Sequence, residues 1–216
     1  MAKDLSIEEI TQIRIELTDT KSPVRRRAAK KIGKHHLVSL GDELFAAYLN
    51  ERKDKRTWET QVEMIKALGK LEYADALPYL SEIIAKNERL DTITYAAGLA
   101  FVRISRQDKN DIKPILRLME KGDHCVMNGA MASLAYDKVI PAKEDQKILI
   151  DLMDRIPVGR LYEQGCGDAR EYLLSAMSKW DKSIVKEYIL TYLDHENQNL
   201  RVCAEEALKG KCWRAE

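Results

Sequence analysis

The sequence predicts an all-α protein, a right-handed α-solenoid of about six helix pairs forming a single domain over residues 1–216. Three observations carry that prediction. Apolar or small residues spaced i, i+4, i+5, i+8 and i+9 recur, complete or nearly so, along the whole chain. Between the copies run helical segments with larger apolar residues. Only ten glycines and five prolines are present, too few for the turns of a β-sandwich or barrel. Hydrophobic residues at 45% and charged residues at 33% allow a buried core under a solvated surface and exclude a disordered chain.

The elements follow in order. Ser6-Ile7-Glu8-Glu9-Ile10 opens the first helix with a capping-box pattern, and Ile10, Ile13 and Leu17 give it one apolar face. The small-residue copies begin at Val24, Thr60, Ile93, Val126, Ala169 and Leu200, separated by 36, 33, 33, 43 and 31 residues. The intervening bulky helices include Leu44–Leu49, Ala76–Leu80, Ile112–Leu116, Ile148–Leu152 and Ile184–Leu190. Pro78 and Pro114 sit at equivalent places, where a first helical turn tolerates proline because its N–H has no partner inside the helix. The repeats span about 4–37, 40–72, 74–106, 110–138, 143–180 and 182–211, with an insertion loop at 156–167 that contains three glycines and a proline. Small residues on each second helix let neighbouring backbones approach, so Ala28, Ala97, Ala130 and Ala204 are expected to be buried between repeats.

Two segments carry a family resemblance. Ser22-Pro23-Val24-Arg25-Arg26-Arg27-Ala28-Ala29-Lys30-Lys31-Ile32-Gly33 and Asn199-Leu200-Arg201-Val202-Cys203-Ala204-Glu205-Glu206-Ala207-Leu208 resemble the turn-plus-Val-Arg signature of short bacterial HEAT repeats, the type also found in phycobilin lyase relatives. The third and fourth copies keep the apolar spacing without the Val-Arg pair. The resemblance covers nearly the whole chain and implies a binding surface on the concave, small-residue face. It implies little about activity.

Composition narrows the function. Lys+Arg 36 against Asp+Glu 35 gives a net charge of +1, unlike a uniformly basic nucleic-acid binder. No P-loop, GxGxxG, HExxH or GxSxG appears, so no enzymatic activity, catalytic residue or cofactor is expected. The longest stretch without Asp, Glu, Lys or Arg is 13 residues, between Asp123 and Asp137, too short to cross a bilayer. No signal segment opens the chain, so a cytoplasmic monomer is expected. Cys125, Cys166, Cys203 and Cys212 form no CxxC pair; reduced thiols and no metal site are expected.

The strongest departure from background is electrostatic. Lys21 to Arg56 holds eleven basic and four acidic residues, a local balance of +7, and Lys21 to His36 has no acid at all. Arg26, Arg27, Lys30 and Lys34 therefore form a candidate site for an anionic surface, although the same run also reads as a solvated cap on the first repeat. Trp58, following the run Arg52-Lys53-Asp54-Lys55-Arg56, is a candidate interface anchor beside its alternative role in packing. Tyr95 and Asn128 occupy comparable early positions on their helices, and Arg160 and Tyr162 sit in the insertion; these four extend the candidate surface. The expected function is a non-catalytic scaffold whose partner is a protein with an acidic surface. The alternative is a DNA-binding or repair protein resembling the HEAT-like alkylpurine DNA glycosylases, whose tryptophan-rich, aspartate-bearing segment has no match here.

Overall fold

A computed structural model describes residues 5–163 and 167–213. The chain forms thirteen α-helices among these residues: α1 (Ile7–Glu16), α2 (Ser22–His35), α3 (Gly41–Glu51), α4 (Trp58–Lys70), α5 (Leu77–Lys86), α6 (Thr92–Ser105), α7 (Lys113–Lys121), α8 (His124–Tyr136), α9 (Lys143–Arg155), α10 (Val158–Leu161), α11 (Ala169–Met177), α12 (Lys182–Leu190) and α13 (Gln198–Leu208). α1–α2, α3–α4, α5–α6, α7–α8 and α12–α13 pack as pairs, while α9 packs on α12, α11 packs on α8 and α13, and α10 lies inside the insertion. Among the described residues the only strand pairing is a two-residue antiparallel ladder in that insertion, β1 (Tyr162–Glu163) with β2 (Gly167–Asp168), Tyr162 opposite Asp168. The molecule is an α-solenoid.

Local chemistry starts and stops the helices as the sequence suggests. Ser6 and Glu9 form both halves of a capping box, with the Ser6 N–H donating to Glu9 Oε2 at 2.7 Å and the Glu9 N–H donating to Ser6 Oγ at 3.2 Å. Pro78 and Pro114 occupy the first turns of α5 and α7. Asp91, Asp168, Asp181 and Asn197 each cap the helix that follows them.

The second helices stack directly on one another, α2 on α4, α4 on α6, α6 on α8, α8 on α11 and α11 on α13. Ala28, Ala97, Ala130 and Ala204 are fully buried between them. Glycine brings three of these joints to backbone contact. A side chain on Gly33 would meet Ala67 Cα at 3.1 Å, and one on Gly69 would meet Ala100 Cα at 2.7 Å. At the α6–α8 joint a side chain on Gly98 would meet Val126 O at 2.7 Å, and one on Gly129 would meet Tyr95 O at 2.1 Å. On the first helices Leu44, Tyr48, Leu80, Ile115, Leu149 and Val185 are buried in the core.

The core forms two apolar clusters. One runs from Ile13 to Ala100 and the other from Val102 to Ala207, and the division falls within α6. Among the described residues no helix is long and apolar enough to cross a membrane.

The cysteines depart from expectation. Cys203 and Cys212 form no disulfide, but Cys125, at the start of α8, is disulfide-bonded; Cys166 lies outside the described residues. The expectation of a reducing compartment loses the support of Cys125.

Candidate functional site

The basic run lies on α2, and the stacking of α4 against it decides its electrostatics. The two helices are parallel and in register, so residues 33 apart face one another. Arg26 pairs with Glu59. Lys30 Nζ approaches Glu63 Oε1 at 3.9 Å, and Lys66 reaches the same oxygen at 3.9 Å. The run that looks uncompensated along the chain is therefore partly neutralised from the next repeat. Arg27 and Lys34 are exposed.

Below those side chains lies a groove of about 280 Å³ between α2 and α4. Ala29, Gly33 and Ala67 form its floor, and Lys30, Lys34, Glu63, Lys66 and Lys70 form its walls. The floor is smooth because glycine at 33 lets the helices touch. Four lysines and one glutamate line the groove. Lys66 and Lys70 belong to this site and were missed in the sequence, where they stand outside the basic run. The 36-residue separation of the first two copies was the signal that would have found them, since it carries Lys30 to Lys66 and Lys34 to Lys70.

The groove ends at α6. One repeat beyond Glu63, Ala67 and Lys70 stand Ala96, Ala100 and Arg103, all buried. Arg103 donates from Nε and Nη2 to Asp137 at the end of α8, the shorter bond being 2.7 Å, and Arg106 Nη1 donates to the same carboxylate at 2.8 Å. Burial opposes ionisation of Asp137, yet these guanidinium bonds hold its carboxyl below its ordinary value. Tyr95, Tyr136 and Tyr172, one from each of three successive second helices, then close over the array. The Tyr95 hydroxyl lies 3.1 Å from that of Tyr136 and 3.3 Å from that of Tyr172, and burial among the rings pushes its pKa up.

The remaining candidates are placed as follows. Trp58 begins α4, is 46% exposed, and stands at the rim of a separate cavity of about 370 Å³ that Lys55, Ile83 and Ile93 also line. Tyr95 belongs to the tyrosine cluster rather than to an open surface. Asn128 is fully buried: its Nδ2 donates to His124 O at 2.9 Å, and its Oδ1 has no partner. The backbone contact made by neighbouring Gly129 sinks α8 so deeply that Cys125 through Ala135 are all buried, which removes Asn128 from any docking face. Tyr162 is exposed in the insertion and lines two clefts on the turn edge of the array.

Arg160 has a structural commitment. Its Nε donates to Asp123 Oδ1 at 2.6 Å and its Nη2 to Gly122 O at 2.6 Å, in the turn before α8. The arginines of the two Val-Arg pairs do the same work at home. Arg25 Nη1 donates to Asp19 O at 2.6 Å and Thr20 O at 3.1 Å, and Arg201 Nη1 donates to His195 O at 2.6 Å and Glu196 O at 3.0 Å. The fourth repeat lacks the Val-Arg pair, and the insertion supplies the missing guanidinium from outside. Arg25 also grips buried Glu51 at 2.8 Å, with Ser22 Oγ donating to the same oxygen at 3.0 Å. Burial raises the Glu51 pKa, but these bonds outweigh it and leave the carboxyl below its ordinary value.

Among the described residues no three His, Cys, Asp or Glu side chains gather as a metal-ligand set. No protein-family model and no curated protein matches the chain. Among solved structures the chain is similar to a designed armadillo repeat protein at 14% identity and a TM-score of 0.43, over 93% of this chain and 99% of that one. The helix order and the stacked second helices make the chain a helical-repeat solenoid.

Proposed function

We propose that this protein is a non-catalytic scaffold of the HEAT-repeat type, which binds a protein partner with an acidic surface through the concave face of its first two repeats. The observation that carries this reading is the α2–α4 groove, where Lys30, Lys34, Lys66, Lys70 and Glu63 surround a smooth floor. Arg26 and Arg27 stand on the same helix, and exposed Trp58 offers an apolar anchor at the rim of the array. Of the four extending residues, Tyr162 remains in this reading; Tyr95, Asn128 and Arg160 have structural work.

Basic residues so placed steer an acidic partner and accelerate encounter more than they deepen the final complex. The test is stopped-flow association of the purified partner with wild type and with Arg26→Glu/Lys30→Glu. The double variant should lose on-rate most strongly at low salt, where screening is weakest. Unchanged kinetics at low salt would reduce the patch to a solvated cap. A DNA ligand would instead show affinity falling linearly with salt on logarithmic axes, with a slope set by phosphate contacts.

A further inference from the structure

Resting on that reading, we infer that the groove takes an extended segment of the partner carrying a short run of about four consecutive acidic residues. The geometry of the four lysines sets both the conformation and the spacing. Lys30 and Lys34 are one helical turn apart on one wall, and Lys66 and Lys70 are one turn apart on the other. Four residues of helix rise about 6 Å. In an extended peptide, side chains two residues apart lie about 6.6 Å apart on one side, and the intervening ones point to the other side. Carboxylates at the first and third positions of the run therefore meet one wall, and those at the second and fourth meet the other.

A helical partner does not fit this site. An α-helix with its side chains is about 10 Å across, whereas the groove is about 280 Å³ with helix backbones touching beneath it. It is also bounded across the array, because Ala96, Ala100 and Arg103, one repeat on in α6, are all buried. The existing charge pairs favour exchange. Glu63 is shared between Lys30 and Lys66 at 3.9 Å each, and the Lys30 side chain is 58% exposed, so an incoming carboxylate displaces long, hydrated contacts. Nucleic acid suits the groove less well. No aromatic side chain lines it to stack a base, and Glu63 opposes a phosphate backbone.

The experiment uses the full chain and three fluorescein-labelled probes at low salt, read by anisotropy. One peptide carries four consecutive glutamates between Gly-Ser flanks, a second carries the same four glutamates each separated by glycine, and the third probe is a short single-stranded oligonucleotide. The consecutive run should bind about tenfold more tightly than the spaced one, because the spaced glutamates all face one wall. Lys34→Gln and Lys66→Gln, checked for unchanged helicity, should each weaken the consecutive run by about threefold to tenfold. Equal affinity for the two peptides, with both weakened by the lysine variants, overturns the two-wall register and leaves the concave-face reading standing. Peptide binding untouched by either lysine variant overturns both. No detectable binding of the consecutive run overturns the inference, and an oligonucleotide bound more tightly than the run assigns the groove to nucleic acid.

Discussion

Replacing Gly129 by alanine tests the feature that closes the middle of the solenoid. In an ordinary helix interior the change would stabilise the protein by about 1 kcal/mol, because glycine carries the greater conformational entropy into the unfolded state. Here the new Cβ would sit 2.1 Å from Tyr95 O and 3.0 Å from Leu99 N. Both are backbone atoms of α6, so no rotamer change relieves the contact, and α6 and α8 must move apart. Overpacking of this kind costs about 1–3 kcal/mol, and a backbone obstacle places the site at the upper end. The net expectation is a loss of about 1–2 kcal/mol, or a melting point lower by about 2–8 °C for a chain of this size. Gly159→Ala is the internal control, since nothing lies within 4 Å of its added methyl; it should be neutral or slightly stabilising. Urea and thermal melts followed by circular dichroism give both values. A Gly129→Ala protein as stable as the parent would refute the close crossing and reopen Asn128 as a surface residue.

Other residues give further outcomes. Arg160→Ala removes the bonds to Asp123 and to Gly122 O and should cost about 1–3 kcal/mol in urea melts, with no change in partner affinity. Burial pushes the Tyr48 hydroxyl from 10.0 up to about 12. The unfolded chain therefore releases this proton first, so the contribution of Tyr48 to stability is complete below pH 10 and is lost as pH rises toward 12. Melting points collected across that window should fall less steeply in Tyr48→Phe. Trp58→Ala should alter stability by less than about 1 kcal/mol but weaken an identified partner by more than about tenfold in equilibrium binding.

Most of the architecture was legible in the sequence because a repeat states its own period. Alanines at 28, 97, 130 and 204 sat where helices had to touch, and they are buried there. The site was less legible because charge was counted along the chain, while the solenoid arranges it across the chain. Glu59 and Glu63 lie far from Arg26 and Lys30 in sequence and next to them in space. Asn128 looked like Tyr95 in register, but beside the close fit of Gly129 against α6 Asn128 is fully buried while Tyr95 is half-buried. Arg160 sat in a loop rich in glycine, a context that suggests binding, yet it replaces the arginine its neighbouring repeat lacks. The exposure of Trp58 followed from its place at a helix start.

The glycines also decide how the molecule bends. A solenoid flexes by changing the tilt between neighbouring units, and side-chain rotamers at the joint absorb that tilt. Gly33, Gly69 and the Gly98–Gly129 pair leave no rotamer to change at the first three joints of the inner row. The joints of α8 with α11 and of α11 with α13 carry no such glycine contact, and alanine, serine and leucine side chains fill them. The inner row from α2 to α8 is therefore a stiff rod and the C-terminal end its compliant spring.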